Sequence, residues 1–114
     1  MIADFVIPLG NNWSPVVRVT DRDPETDAVV PAEGITDLVI FVSLERGGAP
    51  IDGSELELTE LVELPGSYGG TKDVSEVNAA LEEYEGMIKH VVLVGEGVNY
   101  SGTVLISKSA RFAR

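Results

Sequence analysis

Asp21, Asp23, Glu25 and Asp27 alternate along one short stretch, the spacing at which carboxylate oxygens converge on a calcium ion. An EF-hand loop also needs Gly at its sixth position and Glu at its twelfth. Those positions hold Thr26 and Ala32, and Pro24 interrupts the run, so the segment reads as a solvated turn. His90 is the only histidine and falls inside a strand-like run. Ser-His-Asp chemistry needs an exposed imidazole within reach of a serine, and no Ser here sits in a Gly-x-Ser-x-Gly elbow. His90 therefore reads as a partly buried or sheet-surface residue. With no cysteine and one histidine, a zinc site would depend on carboxylates, which is uncommon. Catalytic, cofactor and metal residues are assigned to none of these positions.

Paired carboxylates are the remaining route to catalysis, because a glycosidase needs two. Glu55 and Glu57 alternate with Leu56 and Leu58, which puts both acids on the solvated side of a strand. Glu82, Glu83 and Glu85 lie at a helix end, opposite its apolar stripe. Negative charge is unfavourable there, so the group is either a plain solvated face or a landing place for a basic partner. Gly66, Gly69 and Gly70 flank Tyr68, but no Gly-Lys-Ser/Thr follows, and turn geometry explains them better than a phosphate cradle.

The candidates for contact are aromatic and basic. Trp13, Tyr68 and Tyr100 lie in or beside turns, where aromatic rings can stack on sugars or anchor a protein interface. Phe5 sits in the first strand. The tail, residues 108–114, carries Lys108, Arg111 and Arg114 with Phe112 among them and no acid, in an otherwise acidic chain. Such a tail can lie over an acidic face of its own or an adjacent copy, or simply fray.

The elements that position these residues are mostly strands. Phe5 and Ile7 share one side of a first strand, and Gly10-Asn11-Asn12 breaks it. Val17 and Val19 are the inward pair of the next. Leu38-Val39-Ile40-Phe41-Val42 is near-continuously apolar, as in a central strand buried, at least in part, on both sides. Residues 55–58 alternate, 61–64 resume strand character, and Pro65-Gly66 ends it. Asp73 and Glu76 stand at capping-box spacing, and Val74, Val77, Leu81 and Tyr84 follow at helical spacing up to Gly86. This predicts one helix over 74–85. Strands at 88–94 and 102–107 complete about seven, at roughly 10-residue intervals. The expected fold is all-β: a two-sheet β-sandwich, residues 1–114 as a single domain, with one short crossover helix.

Composition narrows function. A net charge of −11 disfavours direct binding to nucleic acid or to anionic membrane. The absence of cysteine rules out a disulfide scaffold and fits folding in a reducing cytosol. The N-terminus lacks the basic start and apolar run of a signal peptide, and no apolar run approaches the ~18 residues that span a bilayer. Asn12-Trp13-Ser14 and Asn99-Tyr100-Ser101 match the glycosylation pattern by chance on this reading.

From Leu64 to Arg111 the chain runs through Pro65-Gly66-Ser67-Tyr68-Gly69-Gly70, a short helix with Val77 and Leu81, Tyr84-Glu85-Gly86, a Val-rich strand at 91–94 and a last strand. Val17-Arg18-Val19-Thr20-Asp21, a polar excursion and the strand at 38–44 precede it. This pattern resembles the Ig-like domains of structural proteins in tailed phages, such as tail, baseplate, neck and capsid-decoration proteins. The resemblance implies an Ig-like sandwich and a non-enzymatic, multicopy virion part assembled in the host cytoplasm, without a cofactor, whose partners are its own copies and other virion proteins. The contact residues expected are Phe5, Trp13, Tyr68, Tyr100, Lys108, Arg111, Phe112 and Arg114. Two other classes stand beside it: a carbohydrate-binding sandwich with Trp13, Tyr68 and Tyr100 as its platform, and a small carboxylate enzyme, which would need a deep pocket of convergent acids.

Overall fold

A computed structural model describes residues 5–107. Nine strands occur among them: β1 (Phe5–Pro8), β2 (Val16–Arg18), β3 (Thr20–Arg22), β4 (Val29–Pro31), β5 (Leu38–Ser43), β6 (Leu56–Leu61), β7 (Leu64–Gly69), β8 (Ile88–Gly95) and β9 (Val98–Ser107). Seven of these form one curled sheet in the order β1-β9-β8-β5-β6-β7-β2, and β3 and β4 pair as a separate hairpin. The fold is the expected all-β, sandwich-like one.

The curl comes from β6. Its first half, Leu56–Leu58, pairs with β5, and its second half, from Thr59, pairs with β7. One strand therefore belongs to both layers, as at the corner of a sandwich whose strands switch sheets. A bulge beside this corner explains a misread signal. Leu61 pairs with Leu64 but Glu60 pairs with Tyr68, so Pro65, Gly66 and Ser67 are extra residues on β7. Pro65-Gly66 lies inside a strand and does not end one. Proline and glycine are tolerated in sheets at bulges, where a ladder bond is already missing. Gly66 has φ +87°, and a Cβ there would stand 2.6 Å from Cβ of Pro31.

The helix forms where the spacing places it. Helix α1 (Val74–Leu81) runs into a 3₁₀ turn (Glu82–Tyr84), and together they carry the chain from β7 across to β8. Val77 and Leu81 are fully buried, with Ala80 and Tyr84 packed against the core. The cap differs in detail from a reciprocal box. The Asp73 carboxylate accepts both the N–H and the hydroxyl of Ser75, while Glu76 N–H goes to the Asp73 carbonyl. A second cap comes from far away in sequence: Asn12 Oδ1 accepts Val74 N–H at 2.8 Å. Asn78 Oδ1 returns the tie by accepting Gly10 N–H at 3.0 Å.

These bonds fix the segment joining the two edges of the curled sheet. Strands β1 and β2 are consecutive in sequence but stand at opposite edges. Residues between them cross the open end, with Leu9 and Trp13 buried beneath and Trp13 bridged to Lys72. The core between the layers includes Ile7, Val17, Leu38, Ile40, Val42, Leu58, Tyr68, Val91, Leu93, Val104 and Ile106.

Candidate interaction surface

Alternation sorts the central strands into two faces. Ile40 pairs with Leu93 and Leu56, Val42 with Val91, and Lys89 with Val104; apart from Lys89 these are core or core-packed residues. The intervening residues form the outer face: Val39 beside Val94 and Glu57, Phe41 beside Val92, and Ile88 beside Leu105, which also flanks Val6. His90, Ser101 and Thr103 complete it by the same register.

The centre of this outer face is apolar, with Glu57, His90, Ser101 and Thr103 around it. Val39, Phe41, Val94 and Leu105 are half-buried but stand outside the core cluster, and Val6 and Ile88 are exposed. Val92 is only 8% exposed although it too lies outside that cluster. In the middle of a sheet, neighbouring side chains shield one another sideways, which lowers their exposure even without a covering layer. The near-continuous apolar run at 38–42 predicts a strand buried, at least in part, on both sides. Among the described residues it is covered on one side only. Alternation cannot reveal whether the second cover belongs to the same chain, which is why the sequence reading missed Val39, Phe41, Val92 and Val94 as contact residues.

Charge is segregated along with polarity. The chain carries 19 acidic residues, yet β5, β8 and β9 contain none. Their one charged residue, Lys89, points to the core side, its Nζ 5.7 Å from the centre of the Tyr84 ring. Depletion of charge at the centre of a patch is the compositional mark of protein interfaces.

The contact residues expected from sequence divide three ways. Trp13 (4% exposed) and Tyr68 (0%) belong to the core and not to a surface. Trp13 plugs the open end, and Tyr68 buries its ring while its hydroxyl donates to Ala32 O at 2.6 Å and accepts Ile35 N–H at 3.1 Å. With these two inside, Trp13, Tyr68 and Tyr100 do not form one sugar-stacking platform. Phe5 and Tyr100 meet edge to face at 6.3 Å, with Phe5 half-buried and Tyr100 exposed. Lys108, Arg111, Phe112 and Arg114 lie outside the described residues.

The polar candidates for chemistry have structural employment. Glu60 accepts Gly34 N–H at 2.9 Å and Gly66 N–H at 3.0 Å, which ties residues 33–34 to the bulge and holds its carboxyl below the usual range. In the acidic stretch, Asp21 and Arg22 belong to β3, Asp23 Oδ1 accepts Glu25 N–H, and Arg22 and Asp27 approach to 3.5 Å. Among the described residues no group of three acids or histidines is placed to hold a metal ion. His90 is half-buried on β8, a sheet-surface residue as its position suggested. A groove of about 590 Å³ opens between α1 and residues 44–52, floored by Leu44, Ile51 and Ala80 and edged by Glu45, Asp52 and Glu83, all three exposed. No described helix is long and apolar enough to cross a membrane.

No family model matches the chain, and a search of curated proteins finds no match in sequence.

Proposed function

We propose that this chain is a non-enzymatic structural part of a tailed-phage particle, a tail, neck or capsid accessory protein that binds neighbouring copies and other particle proteins. The observation that carries the docking role is the acid-free outer face of β9-β8-β5, which no other described element covers. Apolar sheet surface that no second layer covers marks interaction sites, because leaving it in water is unfavourable. The Ig-like pattern of strands, turns and one crossover helix supports the phage setting.

The test is mass spectrometry of purified phage particles from the source, heads and tails analysed separately. The expected result is this chain in multiple copies in one fraction. Its absence from particles overturns the phage reading.

A further inference from the structure

The outer face has a definite composition, and that composition selects its occupant. Its centre is β8, with Val92 flanked by Phe41 on β5 and by Ser101 on β9. A basic partner finds no carboxylate on these three strands, and an acidic one finds no outward-facing lysine or arginine. Elsewhere the domain is strongly acidic, so two copies meeting through most other surfaces would bring carboxylates together. The centre of the outer face, β9-β8-β5, is where two chains of charge −11 can approach without acids on the facing strands, with Glu57 of β6 left at the rim.

Size agrees. Five strands, β1-β9-β8-β5-β6, contribute to the face. At ~4.8 Å per strand and ~3.3 Å per residue, taken over the residues that β1, β9, β8, β5 and the first half of β6 contribute, the footprint is about 500 Å² per copy, or about 1,000 Å² for a pair, the floor for specific interfaces.

We propose that the outer face packs against the same face of a second copy, an isologous sheet-on-sheet dimer centred on β8. This rests on the docking role proposed above and names its partner. Two inner layers then become four stacked layers, with Val39, Phe41, Val92 and Val94 of each copy forming a second core between the β5-β8-β9 faces.

The experiment is sedimentation equilibrium of the purified full chain across a concentration series. The expected result is a reversible monomer–dimer equilibrium, with a dimer of twice the 12.2 kDa chain mass. Ser101→Glu is the decisive variant, because Ser101 is exposed and its replacement leaves the core untouched. It puts like charges across the two-fold and is expected to weaken association by roughly tenfold or more. Phe41→Glu should do the same, with circular dichroism confirming that the fold survives. Val62→Glu, at the 96%-exposed tip between β6 and β7, should leave association unchanged. A chain that stays monomeric throughout overturns the second-copy assignment, as does a dimer broken by Val62→Glu and not by Ser101→Glu. Either result leaves the particle reading standing, since mass spectrometry of particles tests that separately.

Discussion

Glu60 and Tyr68 show how single side chains hold this fold together. Both reach across to residues 32–35, which connect the β3–β4 hairpin to β5. Tyr68 lies in the core with its hydroxyl between Ala32 O and Ile35 N–H, so Tyr68→Phe removes a partner from two backbone groups at once. Unsatisfied buried groups are costly, and the variant should lose about 1–3 kcal/mol in urea unfolding. Glu60 makes a pH-dependent contribution. Its folded pKa lies below the ordinary glutamate value of 4.5, because the two backbone N–H groups stabilise the carboxylate, Gly66 more than Gly34. Stability from this group is therefore fully present above the unfolded pKa and is lost as pH falls through the lower, folded one. Glu60→Gln should melt at lower temperature than the parent at pH 7. The difference should shrink as melting is repeated below pH 4.5 and the parent carboxylate takes up its proton. A difference that stays constant down to the acid limit would exclude the carboxylate as its source. Neither tie was visible in the sequence, where Tyr68 beside a Pro-Gly turn looked like a surface aromatic. Its partners, Ala32 and Ile35, are more than thirty residues away in the chain.

Elements were legible in proportion to how much of their stabilisation is local. Helix α1 could be read outright, because its apolar stripe, its N-cap Asp73 and the Gly86 that follows lie within one window of sequence. What could not be read is that Asn12 also caps it. Asn12→Ala should cost about 0.5–2 kcal/mol, the usual value of an N-cap, and should loosen residues 9–15 as well. Hydrogen exchange at Val74 and at Gly10 is the check. Strand β3 was hidden for another reason: Thr20, Asp21 and Arg22 are all exposed, so no alternation betrays them. The bulge at Pro65-Gly66 was misread because the same dipeptide ends strands elsewhere. Its glycine is required by both backbone and space. Gly66→Ala should destabilise by about 1–3 kcal/mol, combining a left-handed conformation with a clash against Pro31. Gly97 has φ +72° but nothing within 4 Å of an added Cβ. Gly97→Ala should therefore cost less, and equal losses would show that the Pro31 contact relaxes freely.

At the scale of the whole molecule, closure depends on the most distant pairing in the chain. Strand β1 runs parallel to β9, matching Phe5 with Val104 and Ile7 with Ile106, while β8 and β9 are joined by a tight turn at Gly95–Val98. The entropy of closing a loop is spent before any contact across it is gained, and it grows with loop length. The β8–β9 hairpin and its pairing with β5 can therefore form early, with β1 adding last and carrying residues 9–15 across the open end. Ile7 is fully buried, so Ile7→Ala should cost about 2–5 kcal/mol. If β1 docks late, nearly all of that loss appears as faster unfolding, with the refolding rate almost unchanged. Leu93→Ala, in the β8 core face, should instead slow refolding. Stopped-flow chevrons on both variants, at concentrations low enough to keep the chain monomeric, separate the two effects. Slowed refolding of Ile7→Ala would mean that the sheet closes before the rate-limiting step. A late-docking β1 has a consequence for assembly: whenever it detaches, the edge of β9 opens beside the apolar outer face. A neighbouring copy could then find both a bare edge and a bare face on the same strands, so the two variants that speed unfolding and break the dimer should not be additive.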